Sequence, residues 1–414
     1  MNTIKKSGVY PWVVVGLLWF VAFLNYMDRQ MLSTMREPMM GDIAELISAT
    51  NFGRLMAVFL WIYGFMSPLS GIIADRVSRK WLIVGSLAIW SGVTFFMGYT
   101  TNFNQLYVLR GIMGVSEALY LPAALSLIAD YHTRTRSLAV GIHMTGLYAG
   151  QAVGGFGATL AAALGWQGTF HMFGIVGVVY AGILALTLRD KGRAMPAVRK
   201  PAAGSNKIPV GKGLAMLFTN FAFWIILFYF CIPGIPGWAT KNWLPTLFAD
   251  ALSVDMAVAG PIATISIAIS SLIGVLFGGF LSDRWILKNL RGRVYTGAIG
   301  ITLLIPALMF IGFGNSLWDC VMGAALFGIG FGMFDANNMP ILCQFVPSRL
   351  RATAYGIMNM CGVFAGAAVT SILGRSTDAG NLGRYFALMS VLVLAMVVVQ
   401  LVGLRPKYAD MVEN

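Results

Sequence analysis

Apolar residues run along this chain in stretches of about 20, separated by short polar segments, which is the length a helix needs to cross a bilayer. The pattern divides into twelve spans. The first six lie at approximately 11–34, 50–73, 81–99, 104–129, 138–163 and 168–188. The second six lie at 216–249, 257–281, 293–314, 317–346, 353–374 and 384–404. Between the sets, residues 189–215 are basic, contain Pro and Gly, and read as a flexible cytoplasmic linker. The expected fold is an all-α membrane protein: twelve transmembrane helices in two six-helix halves, 1–188 and 216–414, the second ending in a short cytoplasmic tail. The length of the first span and the absence of a small-residue cleavage site argue against a removed signal peptide.

Composition agrees with this reading, since 58% hydrophobic and 11% charged residues fall outside the range of soluble domains. A net charge of +13 could indicate a nucleic-acid partner, but its distribution assigns it another role. On the side of the termini stand 22 Lys and Arg residues; the opposite side has only Arg36, Arg54, Arg375 and Arg384. That bias predicts cytoplasmic termini, so the basic charge sets topology. Cys231, Cys320, Cys343 and Cys361 show no CxxC spacing, and His132, His143 and His171 form no ligand cluster. With no phosphate loop or nucleophile elbow either, neither an enzyme nor a metal or cofactor site is expected. The partners expected are lipid and a small solute, with the chain a monomer.

The halves echo each other. Gly71-Ile-Ile-Ala-Asp75-Arg76 after span 2 matches Gly279-Phe-Leu-Ser-Asp283-Arg284 after span 8. Arg134-Thr-Arg136-Ser-Leu-Ala-Val-Gly141 matches Arg349-Leu-Arg351-Ala-Thr-Ala-Tyr-Gly356. A parallel repeat of this kind builds carriers whose solute site lies at the midplane between halves.

Charged residues inside the spans carry the candidate chemistry. They are Asp28, Arg29, Arg110, Glu117, Lys241 and Asp335, and charge inside lipid persists mainly beside a wet cavity or a partner. Arg110, Gly114 and Glu117 recur at i, i+4 and i+7, so they share a face, and Gly114 leaves room there for a solute or a close helix. Asp28 and Arg29 diverge by about 100°, so one can face span 4 while the other faces the cavity. Arginine stays charged and matches a carboxylate with paired hydrogen bonds, while a buried acid takes up and releases protons as its surroundings change. Together they suffice to couple an organic anion to protons; the competing possibility is that the four charges merely neutralise one another. In span 7, Cys231-Ile-Pro233-Gly-Ile-Pro236-Gly237 predicts a break in the helix, serving either as a gate hinge or as a packing kink, with Lys241 and Asn242 beyond it. In span 10, Asp335, Asn337, Asn338 and Gln344 surround Pro340 and suit either solute hydroxyls or interhelical bonding.

The loop Gly71-x-x-Ala-Asp75-Arg76-x-Ser-Arg79-Lys80, present in two copies, resembles the signature of the major facilitator superfamily. The resemblance implies gating roles for Asp75, Arg76 and Arg79, and more weakly for Asp283 and Arg284. The Asp28-Arg29 pair, the Arg110-x-x-x-Gly114-x-x-Glu117 run and Trp243-Leu-Pro245 are similar to the anion:cation symporter branch, which includes bacterial sugar-acid permeases and sialin. It implies that Asp28 and Glu117 handle protons and that Arg29 and Arg110 meet the anion. Tyr26, Lys241, Asn242, Asn337, Asn338 and Gln344 complete the expected solute contacts. The implied function is proton-coupled symport of a sugar acid, such as a hexuronate, aldonate or sialic acid, across the bacterial inner membrane. Spans 1 and 4 are also similar to the Spinster branch, which implies the alternative of a lysolipid carrier.

Overall fold

Inside a bilayer there is no water to meet backbone N–H and C=O groups, so each apolar span closes its own hydrogen bonds as a helix. The computed structural model describes residues 9–132, 135–190, 210–347 and 350–406. The first half contains α1 (Tyr10–Leu32), the short α2 (Arg36–Met39), a 3-10 turn at Ala44–Ile47, α3 (Ala49–Arg76), α4 (Arg79–Met97), α5 (Phe103–Ala118), α6 (Tyr120–Tyr131), α7 (Arg136–Gly154) and α8 (Gly157–Thr187). A short α9 (Val210–Phe218) leads into the second half: α10 (Phe221–Leu252), α11 (Met256–Ile286), α12 (Gly292–Phe313), α13 (Leu317–Phe345), α14 (Arg351–Asp378) and α15 (Leu382–Gly403). Most of the expected linker, 191–209, lies outside the described residues.

Among the described residues, eleven segments are long and apolar enough to cross a membrane. The other expected span, 138–163, is made in two pieces: α7, then α8 as far as Gly165, where a φ of 72° turns the chain. That backbone region is open to glycine without strain. Span 4 also bends, between α5 and α6 at Leu119. Pro122 has no N–H to offer Ala118, so the ladder lapses there and Glu117 ends up in the last turn of α5.

Span 7 departs from expectation. Residues 231–237 were expected to be non-helical, yet they lie within continuous α10, as do Pro233, Pro236 and Pro245. Each proline withdraws one donor, while the remaining backbone groups have no alternative partner in lipid and stay paired within the helix. All three prolines are buried against neighbouring helices, and Tyr229 packs edge-on against Phe334 of α13 with centroids 5.1 Å apart.

Both halves use one packing scheme. α4 packs on α8 as α12 packs on α15, and α3 packs on α5 as α11 packs on α13. Between halves, α3 meets α14 and α7 meets α11, the same pair of positions exchanged. These contacts concentrate on the face opposite the termini. There Asp378 accepts from the Ser48 hydroxyl at 2.9 Å and from the backbone N–H of Ala49 and Thr50 at 2.7 and 2.9 Å. The Thr264 hydroxyl donates to Ala152 O at 3.0 Å, and Thr159 to Ala257 O at 2.7 Å. Towards the terminal side, the cross-half bond among the described residues is Asn359 Nδ2 to Ser67 Oγ at 3.2 Å. The halves are thus sealed at one end around a central cavity.

Candidate functional site

The site begins on α1, where successive side chains diverge around the axis. Arg29 reaches α5 and forms an ion pair with Glu117, whose Oε2 also accepts from Asn25 Nδ2 at 2.9 Å. The Arg29 guanidinium lies among three rings, 4.8 Å from the centroid of Tyr63, 4.9 Å from Phe59 and 5.2 Å from Tyr26. Such cation–ring contacts favour a fixed, partly dehydrated charge. Asp28 turns the other way, towards α4, where the Thr94 hydroxyl donates to its Oδ2 at 3.4 Å. Asp28 and Glu117 each keep one buried oxygen without a partner among the described residues.

Arg110 is also enclosed. It lies 4.6 Å from the Phe59 ring, its Nη1 meets Met113 Sδ at 2.9 Å, and its charged neighbours are Glu117 and Asp28. The room left by Gly114 is taken by a helix, because a Cβ there would stand 2.8 Å from Phe59 O. Asp28, Arg29, Arg110 and Glu117 therefore form a compact set of two acids and two cations, with Glu117 only 1% exposed. Of the four, Arg29 lines the cavity.

That cavity has a volume of about 370 Å³ and lies between the halves, with Tyr26, Arg29 and Tyr63 on one side and Lys241, Asp335 and Asn338 on the other. A space of this size is ordinary for a small-molecule site. Lys241 Nζ stands 4.9 Å from the Trp238 ring and 6.0 Å from the Tyr26 ring, so Tyr26 has a cation from each half beside it. Gln30 Nε2 donates to Lys241 O at 2.9 Å, which ties α1 to α10 at the same level. Asp335 is exposed to the cavity and accepts from Asn338 Nδ2 at 3.3 Å.

Several expected contacts lie elsewhere. Asn242 is buried between α10 and α14 and donates to Thr370 Oγ1 at 2.8 Å. Asn337 is fully buried and bonds Met333 O of its own helix at 2.8 Å, because neighbours on a helix cannot share one face and Asn338 holds the inward position. Gln344 donates to Leu290 O at 3.0 Å. These three serve interhelical or intrahelical bonding and stand apart from the lining. Among the residues expected to gate, Arg79 pairs with Asp130 and donates to Ser126 O at 3.2 Å, joining α4 to α6 inside one half. Asp283 and Arg284 are exposed, Arg284 lying 4.3 Å from the Phe280 ring; the side chains of Asp75 and Arg76 lie outside the described residues.

Asp335, which the sequence suggests for solute hydroxyls or interhelical bonding, lines the cavity, as do Trp238, Tyr355 and Asn359, to which the sequence reading assigns no role. Asn359 had a signal: it is the only amide side chain in 353–374. The aromatic residues had none, since rings are common throughout such helices.

Similarity to known proteins agrees with this architecture. The probable galactarate/D-glucarate transporter GudP of Escherichia coli (strain K12) is 24% identical over 409 residues, covering 89% of this chain and 87% of that protein. The probable L-galactonate transporter of the same organism is 24% identical over 381 residues, covering 87% and 82%. A crystal structure of a bacterial homologue of the human lysosomal transporter Spinster, in an inward-facing and occupied conformation, superposes with a TM-score of 0.80 at 19% identity, covering 98% of this chain and 99% of that one. Residues 18–371 match the sequence profile of the Major Facilitator Superfamily, and with two six-helix halves closed at one end around a midplane cavity, the chain belongs to that family of membrane transporters.

Proposed function

We propose that this protein is a secondary transporter that carries a sugar acid together with protons by alternating access. The observation that carries the reading is the pair of cations, Arg29 and Lys241, that stand beside Tyr26, one from each half, in a cavity shared by both halves. A solute carboxylate held there engages both halves at once, so its binding energy can favour the state in which they close around it. The names of the sugar-acid relatives support the same solute class.

Coupling follows from competition. Arg29 is held by Glu117. A bound carboxylate competes for that guanidinium, and Glu117, deprived of its cation inside the bundle, takes up a proton instead. Asp28, with an unmet oxygen between α1 and α4, is assigned a second proton. Once the cavity opens to the side that bears the termini, which the charge bias assigns to the cytoplasm, solute and protons leave and the Arg29–Glu117 pair re-forms. Asn338 and Asn359 stand ready for solute hydroxyls.

The apolar wall of Trp238, Phe331 and Tyr355 favours a second reading, a lysolipid carrier. Against it stand Lys241, Asp335, Asn338 and Asn359, four polar groups that a lipid tail would have to displace from water. Uptake by the purified protein in liposomes separates the readings, using a panel of aldonates, hexuronates, aldarates, sialic acid, 4-hydroxybenzoate and lysolipids under imposed pH or sodium gradients. Accumulation of a sugar acid driven by an inward proton gradient is expected. Accumulation of lysolipid alone, or sugar-acid uptake that ignores the pH gradient, would overturn the solute or the coupling assignment respectively.

A further inference from the structure

Resting on the sugar-acid reading, we infer that Asp335 makes the cavity select sugar monocarboxylates over the matching dicarboxylates. The lining has an uneven charge layout. Its cations, Arg29 and Lys241, stand beside the Tyr26 ring. Its exposed acid, Asp335, projects from α13 into the same space. The ion pairs among the described residues are Arg29–Glu117 and Arg79–Asp130, so Lys241 and Asp335 face one cavity without closing on each other. An opening between two opposite charges is a place for a solute group rather than a finished structural bridge.

The two kinds of charge suit different solute groups. A carboxylate belongs beside Arg29 and Lys241, where donors and positive charge converge. An ionised Asp335 only accepts hydrogen bonds, so the group suited to it is a hydroxyl, which a sugar acid carries along its whole chain. With Asn338 donating to Asp335 from the next turn, the acid is oriented and keeps acceptor capacity to spare. A second carboxylate at the far end of the solute has no proton to give and meets a like charge in a space walled by rings, where screening is weak. Rejection by repulsion is a common route to specificity. A solute ending in CH2OH satisfies Asp335; one ending in a carboxylate opposes it.

D-Galactonate and galactarate form a suitable pair, because they share stereochemistry and differ only in whether C6 is a hydroxymethyl or a carboxylate. Their equilibrium binding is measured to the full-length protein in lipid nanodiscs at neutral pH. Wild type is expected to bind galactonate at least about tenfold more tightly than galactarate, the order expected for one like-charge contact in a partly dehydrated site. Asp335→Asn is expected to shrink that ratio to about threefold or less, chiefly by improving galactarate, whose second carboxylate then no longer meets a like charge. Asp335→Glu, which keeps the charge, should retain the preference. Equal affinity of wild type for both compounds, or an undiminished preference in Asp335→Asn, would overturn the inference while leaving the sugar-acid reading intact. Binding of neither compound by wild type would overturn both. If the Asn variant fails to fold, Asp335→Ser takes its place with the same expected and overturning results.

Discussion

Between Glu117 and the cavity stands Arg29, and that arrangement gives the two residues separable phenotypes. Glu117→Gln keeps the shape and the hydrogen bond from Asn25 but removes the site proposed to exchange a proton. Such a variant is expected to bind and exchange substrate while losing accumulation driven by a pH gradient, as read by counterflow and uphill uptake in liposomes. Retained uphill uptake would remove Glu117 from coupling. Arg29→Ala is expected to weaken anion binding by at least about tenfold, since a hydrogen bond to a charged group is worth about 1.5–3 kcal/mol. Unchanged affinity would reject the contact. Asn242→Ala is the contrasting case: it removes the donor to the Thr370 hydroxyl oxygen, whose own proton stays on Gly366 O, and costs about 0.5–1.5 kcal/mol of stability. Its melting temperature should fall while its affinity for the solute stays level.

At the scale of helices, the glycines of α7 set how closely α1 can approach. A Cβ on Gly154 would come within 2.7 Å of both Gln30 Cβ and Met27 O. Gly154→Val therefore has to push α1 away, and Asp28, Arg29 and Asn25 move with it. The expected outcome is a lower yield of monodisperse protein and a lower melting temperature, together with loss of binding. Normal stability would show that α1 and α7 tolerate separation. The element scale also shows where sequence patterns reach their limit. Apolar length located the spans within a few residues, because the cost of unpaired backbone in lipid leaves little alternative to a helix. The same cost defeated the expected break in span 7, since it holds the ladder together around Pro233 and Pro236.

For the whole molecule, the seal opposite the termini is the feature that the proposed alternating access has to undo. Asp378, at the end of α14, takes hydrogen bonds from the first residues of α3, where exposed N–H groups and the helix dipole favour a negative charge. Asp378→Asn weakens that cap and should shift the population towards the state open on that face. Distance distributions between spin labels on the ends of α3 and α14 opposite the termini would report the shift as a growing long-distance fraction. An unchanged distribution would mean that the seal rests on the α7–α11 contact instead.

The candidate site was legible in part for the same reason that the spans were. A charge inside an apolar run is conspicuous, so Asp28, Arg29, Arg110, Glu117, Lys241 and Asp335 could all be picked out by eye. Which way each one faces was another matter. Asp28 and Arg29 are adjacent, as are Asn337 and Asn338, yet in each pair one member lines the cavity and the other packs against helix. Helical geometry separates neighbours by about 100° but says nothing of where zero lies. That this chain crosses a membrane in two similar halves, with charge kept inside them, can be read from residue order alone, because lipid penalises every unpaired polar group. Which charges meet water and which meet each other emerges with the folded bundle, because it depends on the rotation of each helix, set by how neighbouring helices pack.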